Sequence, residues 1–264
     1  MKNGITGVQG QNSGWKGLYY AGGVAALLAV LFFRRNTGVE LVTFNGFGVF
    51  DVPEAFPISA ADWFVVLQQD KIVGLILLGL VDLINYALVG LIFLALYGAL
   101  RSTNNGWMTA ALSFSFVGIT LFFATNQAFA LLALSEQYAA AVTEAERAMC
   151  LAAGEALLAI DNPGKMTQGM ANFLSLFLVL LSGLSISFVM LRSDNFSKAA
   201  SWSGILANAF ALAFYPFLVF APAIAWLPPS ISAPFRLIWY VLIAVGLFRL
   251  AANVNKEALE ILTT

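Results

Sequence analysis

Six stretches of this chain are apolar around every side of a helix, not along one stripe. They run from about Gly17 to Phe33, Ile72 to Leu100, Trp107 to Leu134, Gly169 to Leu191, Trp202 to Trp226 and Arg236 to Ala252. A helix apolar all round needs a core or a bilayer on every side. Length decides for the bilayer, since about 20 apolar residues cross a hydrocarbon core of roughly 30 Å. A helix also satisfies its own backbone, which lipid requires. Strand-like alternation over about ten residues is absent, which argues against a barrel. The pattern predicts an all-α, polytopic membrane protein: a six-transmembrane-helix bundle forming a single domain over residues 1–264.

The polar stretches predict the connections. Residues 1–14, rich in Gly, Asn and Gln, read as a flexible tail. The first apolar run lacks a small-residue cleavage site and stops at Arg34-Arg35, so it reads as a retained span. Within the extramembrane connection 34–71, two β-prone runs flank Asn45-Gly46. That dipeptide suits a two-residue hairpin turn, and an irregular loop is the competing reading. Ser59 and Asp62 have capping-box spacing, and Trp63, Phe64, Val66 and Leu67 make the following helix amphipathic, as at a membrane interface. The second connection, 135–168, begins as an Ala- and Glu-rich helix continuing the third span. Asn162-Pro163-Gly164 ends it. Pro216 and Pro222 fall inside the fifth span, and Leu227-Pro228-Pro229 reads as a tight turn before the sixth.

Six spans put both termini on one side. That side carries seven basic and three acidic residues, the other six basic and ten acidic. Orientation follows basic residues in short loops, and the short connections lie on the terminus side. The expectation is a cell (inner or plasma) membrane protein with cytoplasmic termini. Trp15, Trp107, Trp202 and Trp226 fall at span ends, with Trp63 and Trp239 near the opposite interface, where amphipathic rings are favoured.

Composition sharpens this picture by exclusion. Apolar residues make up 60% and charged residues 10% of the 264, and mean hydropathy is +0.85. A soluble domain carries about 25% charged residues. The net charge of −1 gives no pull toward nucleic acid. Cys150 is the single cysteine, so no intrachain disulfide can form. Histidine is absent, which removes the commonest metal and haem ligand and the usual general base. No lysine lies within a span to serve a Ser–Lys pair. No catalytic residue, metal site or cofactor is therefore assigned, and the chain is expected not to be an enzyme.

The candidate chemistry lies inside the spans. Asp82 is about ten residues into the second span, near the midplane at about 1.5 Å per residue. An isolated carboxylate there costs at least about 2.5–3.5 kcal/mol, so it must be protonated, paired or hydrated. Gly79, Asp82, Tyr86 and Gly90 share one helix face by spacing. Asn126 and Gln127 lie at comparable depth on the third span, and Asn85 is a further member. These five residues, Asp82, Asn85, Tyr86, Asn126 and Gln127, form the candidate polar cluster. It is an interhelical hydrogen-bond pin or a proton- or cation-binding site.

The segment LVDLINYALVGLIFLALYGALRSTNNG, followed by LLALSEQYAAA, resembles a widespread prokaryotic membrane family called domain of unknown function 4386. Its acidic residue in the second span, basic stop, Gly-containing turn and Ser-Glx-x-Tyr segment correspond to Asp82, Arg101, Gly106, and Ser135 with Tyr138. The resemblance covers residues 60–160 best. Members often carry a basic and an acidic residue in the third span, where Phe114-Ser115-Phe116 has neither. The resemblance implies the six-span architecture and no activity. Two functions remain in view: a structural or accessory subunit whose partners are the lipid bilayer and other membrane subunits, and a small secondary transporter built around Asp82.

Overall fold

The computed structural model describes residues 5–32, 56–163 and 169–263. The hairpin expected around Asn45-Gly46 lies outside the described residues. Among those described, ten α-helices and one 3₁₀ turn form and no strand does. Six helical segments are long and apolar enough to cross a membrane, as the hydropathy pattern predicts. The chain divides into two compact units: residues 1–36, 85–119 and 177–264, and residues 37–84 and 120–176.

The first unit holds the main length of all six spans. These are α1 (Ile5–Phe32), most of α4 (Leu80–Leu100), the first part of α5 (Asn105–Thr125), α8 (Met170–Met190) from residue 177, α9 (Lys198–Phe220) and α10 (Leu227–Thr263). Its core draws on all of them, with Ala26, Ile92, Met108, Ile186, Ala200 and Ile243 fully buried. The outward side chains are apolar too, among them Leu31, Phe116, Phe188 and Val245. That surface suits acyl chains and not water. Serines in the spans bond back along their own helices, as Ser182 does to the Leu178 carbonyl and Ser187 to that of Gly183. Each hydroxyl is thus satisfied without a partner helix.

Several boundaries differ from the hydropathy reading. Helix α1 starts at Ile5, not after a tail to residue 14, because helix propagation adds a bond per residue and no proline intervenes. Helix α9 ends at Phe220, and Pro222 opens the 3₁₀ turn Pro222–Ile224, so only Pro216 lies within that helix. Leu227-Pro228-Pro229 does not form a turn; it starts α10. The first helical turn has no intrahelical use for its N–H groups, so proline costs little there.

The second unit contains α2 (Ala60–Gln69), α3 (Lys71–Leu77), α6 (Ala128–Ala140) and α7 (Glu144–Ile160). Helix α2 begins at the expected capping box: Asp62 donates its N–H to Ser59 Oγ at 3.2 Å, and the Asp62 carboxylate accepts from the Ser59 N–H at 3.1 Å. The Ser59 hydroxyl holds the Asp62 carboxyl below the usual carboxylate range. A second box, Thr143 with Glu146, starts α7; there the Thr143 N–H, followed by that of Val142 and the Thr143 hydroxyl, holds the Glu146 carboxyl below its usual range. Trp63, Phe64 and Leu67 do not face a membrane interface. They are fully buried against Leu131 of α6 and Leu158 of α7, each worth about 1.5–3 kcal/mol of burial. Polar ties reinforce the packing. The Ala60 N–H donates to Glu155 Oε1 at 2.7 Å, Asn162 Nδ2 to the Ile58 carbonyl at 2.8 Å, and Lys71 pairs with Glu136 at 2.5 Å.

Trp107, Trp202 and Trp226 are more than half exposed at span ends, as amphipathic rings at an interface should be. Trp63 and Trp239, expected near the opposite interface, are 0% and 1% exposed, packed inside protein. Trp239 packs on Gly204, where a β-carbon would come within 2.4 Å of the indole nitrogen.

Candidate functional site

The second span is not one helix from Ile72. Asp70 caps α3 by accepting from the Ile72 and Val73 N–H groups at 2.8 and 3.1 Å. Helix α3 then stops at Leu77, and Gly79 takes φ 97°, a left-handed conformation that favours glycine. Helix α4 starts afresh at Leu80. Asp82 therefore lies in the first turn of a 21-residue span, not ten residues into it. At about 1.5 Å per residue this helix is roughly 31 Å long, so Asp82 sits near one end. A helix N-terminus favours negative charge.

The third span breaks as well. Helix α5 ends at Thr125 and α6 starts at Ala128, leaving Asn126 and Gln127 between them. The Asn126 side chain stabilises this break. Its Oδ1 accepts from the Ala128 N–H at 3.1 Å, and its Nδ2 donates to the Leu78 carbonyl at 3.3 Å. One interruption is thus tied to the other within the second unit. Gln127 occupies the N-cap position of α6 without capping it, and its Oε1 is buried with no hydrogen-bond partner among the described residues.

Of the five residues in the predicted cluster, Asn126 is joined to Leu78, next to the Gly79 break. Asn85 and Tyr86 belong to the first unit. Asn85 Oδ1 is buried without a partner among the described residues, and Tyr86 lies close enough to Tyr215 to interact electrostatically. The spacing of Gly90 proves informative: its surface meets Ile119 and Phe116, so α5 approaches α4 there. Gly79 cannot share a helix face with Asp82, because it is the break itself.

The hydropathy pattern places Arg236 at the edge of the sixth span. With α10 starting at Leu227, it lies in the third turn of that helix, inside the apolar segment Pro222–Asn253. Its side chain hydrogen-bonds Tyr240 one turn on. The Arg-x-x-x-Tyr spacing places the two side chains on one helix face once Pro228 and Pro229 belong to the helix's first turn. Among the described residues no three metal-binding side chains converge.

The outer surface of the second unit has a different character. Helix α7 packs through Gly154 and Leu158, with Cys150, Leu151 and Leu157 partly buried beside them. Its opposite face is exposed and also apolar: Ala145, Ala148, Met149, Ala152, Ala153, Ala156, Ala159 and Ile160. At 3.6 residues per turn these eight fill an arc of roughly 140°. Glu144 and Glu155 edge the arc on one side and Glu146 on the other.

No family model, curated protein or solved structure matches this chain.

Proposed function

We propose that the protein is an accessory or structural subunit of a membrane assembly. It lies in the cell membrane with cytoplasmic termini and performs no catalysis itself. The observation that carries this reading is the outward face of α7. Met149 is 72% and Ile160 63% exposed there, although the helix already buries its other face. An exposed apolar face of this kind marks an interaction surface. Asp82 at a helix end, where a carboxylate is tolerated, weakens the case for a transport site at the midplane. We group the chain with the family called domain of unknown function 4386 on the Asp82, Arg101, Gly106, Ser135 and Tyr138 pattern.

The test is mass measurement of the full-length chain extracted with its surrounding lipid from native membranes. The expected result is a fixed stoichiometry with a second polypeptide, lost in Ala152→Arg while the chain itself stays folded. A single copy alone, the same in wild type and variant, would overturn the reading.

A second reading has its own support. Two interrupted helices tied through Asn126, with the Gln127 amide oxygen left without a donor among the described residues, resemble the discontinuous helices that bind ions in transporters. Proton- or cation-driven flux in proteoliposomes that disappears in Asp82→Asn and Gln127→Leu would establish it. Absence of flux from the wild-type chain in such vesicles would remove it.

A further inference from the structure

The face of α7 constrains what can cover it, and we infer that its occupant is a partner helix whose own apolar stripe is flanked by lysine or arginine. This rests on the accessory-subunit reading and names the partner's chemistry.

Three observations carry it. The exposed arc is long and continuous, and six of its eight side chains are alanine, so a second helix can approach closely. Met149 and Ile160 rise from this low surface and would seat beside the partner's side chains. Both edges of the arc are acidic. The Glu144 side chain is 93% exposed, and Glu146 and Glu155 are exposed as well. Arg147 is the single basic residue of α7, and it pairs with Glu144 at 3.5 Å.

The charge pattern extends beyond one helix. Among the described residues of the second unit the acids are Asp62, Asp70, Asp82, Glu136, Glu144, Glu146, Glu155 and Asp161; the bases are Lys71 and Arg147. Helices that lie on membrane surfaces carry Lys and Arg beside their apolar face, because the headgroups are anionic. The α7 face has the reverse pattern. A second copy of the same face would bring acid against acid across the contact. A cationic helix meets both the apolar arc and its acidic edges, with complementary potentials steering and orienting the encounter.

The experiment uses the full-length chain in phosphatidylcholine nanodiscs. Two synthetic helical peptides share one Leu/Ala stripe and differ only in flanks of lysine or glutamate. The lysine peptide is expected to bind roughly tenfold or more tightly than the glutamate peptide, and to weaken as salt rises, because exposed charges are screened. Ala152→Arg should abolish its binding. Combining Glu144→Lys, Glu146→Gln and Glu155→Gln should erase the preference; the two glutamines can still accept the capping and Ala60 hydrogen bonds. Equal affinity for both peptides, or a preference unchanged by the triple variant, would overturn the inference. If Ala152→Arg removes both peptides equally and the charge variants change nothing, the docking face stands and its cationic occupant falls. A bimane on Met149→Cys, with Cys150→Ala, would decide the lipid alternative. Quenching by lipid-borne quencher in nanodiscs would place the face on the bilayer and refute the proposal. A dimer of this chain that buries the same label would refute it too.

Discussion

Trp15 lies against Gly98 so closely that a β-carbon at position 98 would come 2.2 Å from a carbon of the indole ring. The Arg101 guanidinium stands 4.6 Å from the centre of the same ring. Gly98→Ala should therefore destabilise the first unit by about 1–3 kcal/mol, the usual cost of overpacking. Arg101→Ala should cost about 0.5–2 kcal/mol through the lost cation–π contact. Thermal melts in one detergent would rank them. A Gly98→Ala protein as stable as wild type would mean that the ring moves aside freely.

Asn126 should be the costliest polar residue of the second unit to remove. Asn126→Leu strips the donor from the Leu78 carbonyl and the acceptor from the Ala128 N–H. Interhelical membrane hydrogen bonds are worth about 0.6–2 kcal/mol, and a lost cap about 1 more. Hydrogen exchange should rise at residues 128–130 before it rises elsewhere. Unchanged protection there would show that the backbone holds the break without the side chain.

Gly79 should tolerate no side chain without strain. A left-handed residue other than glycine costs about 1–2 kcal/mol. Gly79→Ala should lower the melting temperature, and a stabilising effect would mean that α3 and α4 prefer to fuse.

The capping boxes give the second unit an acid limit. Asp62 and Glu146 have folded-state pKa values below their unfolded ones, held there by the Ser59 and Thr143 groups. The unfolded chain thus takes up protons first as pH falls. The contribution is fully present above the usual carboxylate range and disappears as pH drops through the depressed folded values. Asp62→Asn and Glu146→Gln should flatten stability against pH below about pH 4, where carboxylates titrate. An unaltered acid slope would remove both boxes from the account.

Topology has a direct check. In a Cys150→Ala background, Asn104→Cys and Met149→Cys should react with an impermeant thiol reagent from opposite sides of sealed vesicles. Labelling from the same side would rule out a span between them.

The capping box at Ser59 was readable because two polar residues at fixed spacing have one dominant structural use. Residues with several uses were harder. Gly79 reads equally well as a packing glycine, and only its positive φ makes it a helix break. Asn126 reads as a pin between helices; its side chain bonds the Leu78 carbonyl and also the Ala128 N–H, at the break in its own helix. Leu227-Pro228-Pro229 looks like a stop, although proline in a first turn surrenders no hydrogen bond. That one ambiguity displaced the start of α10 by nine residues and hid Arg236. Alanines on α7 carry no directional signal in sequence. Their exposure emerges once Trp63, Phe64 and Leu158 fix which face turns inward.

The two helices α4 and α5 are each 21 residues long, and residues 101–104 join them. Each is about as long as the hydrocarbon core is thick. A nascent chain released as far as Thr125 has two helices of matched length and an exposed polar turn, before any of α6 to α10 has been made. Such a hairpin can leave the translocation channel for the lipid as a unit. The interruption at Asn126 then divides this matched pair from α6, whose Leu131 packs with Trp63, Phe64 and Leu67 of α2.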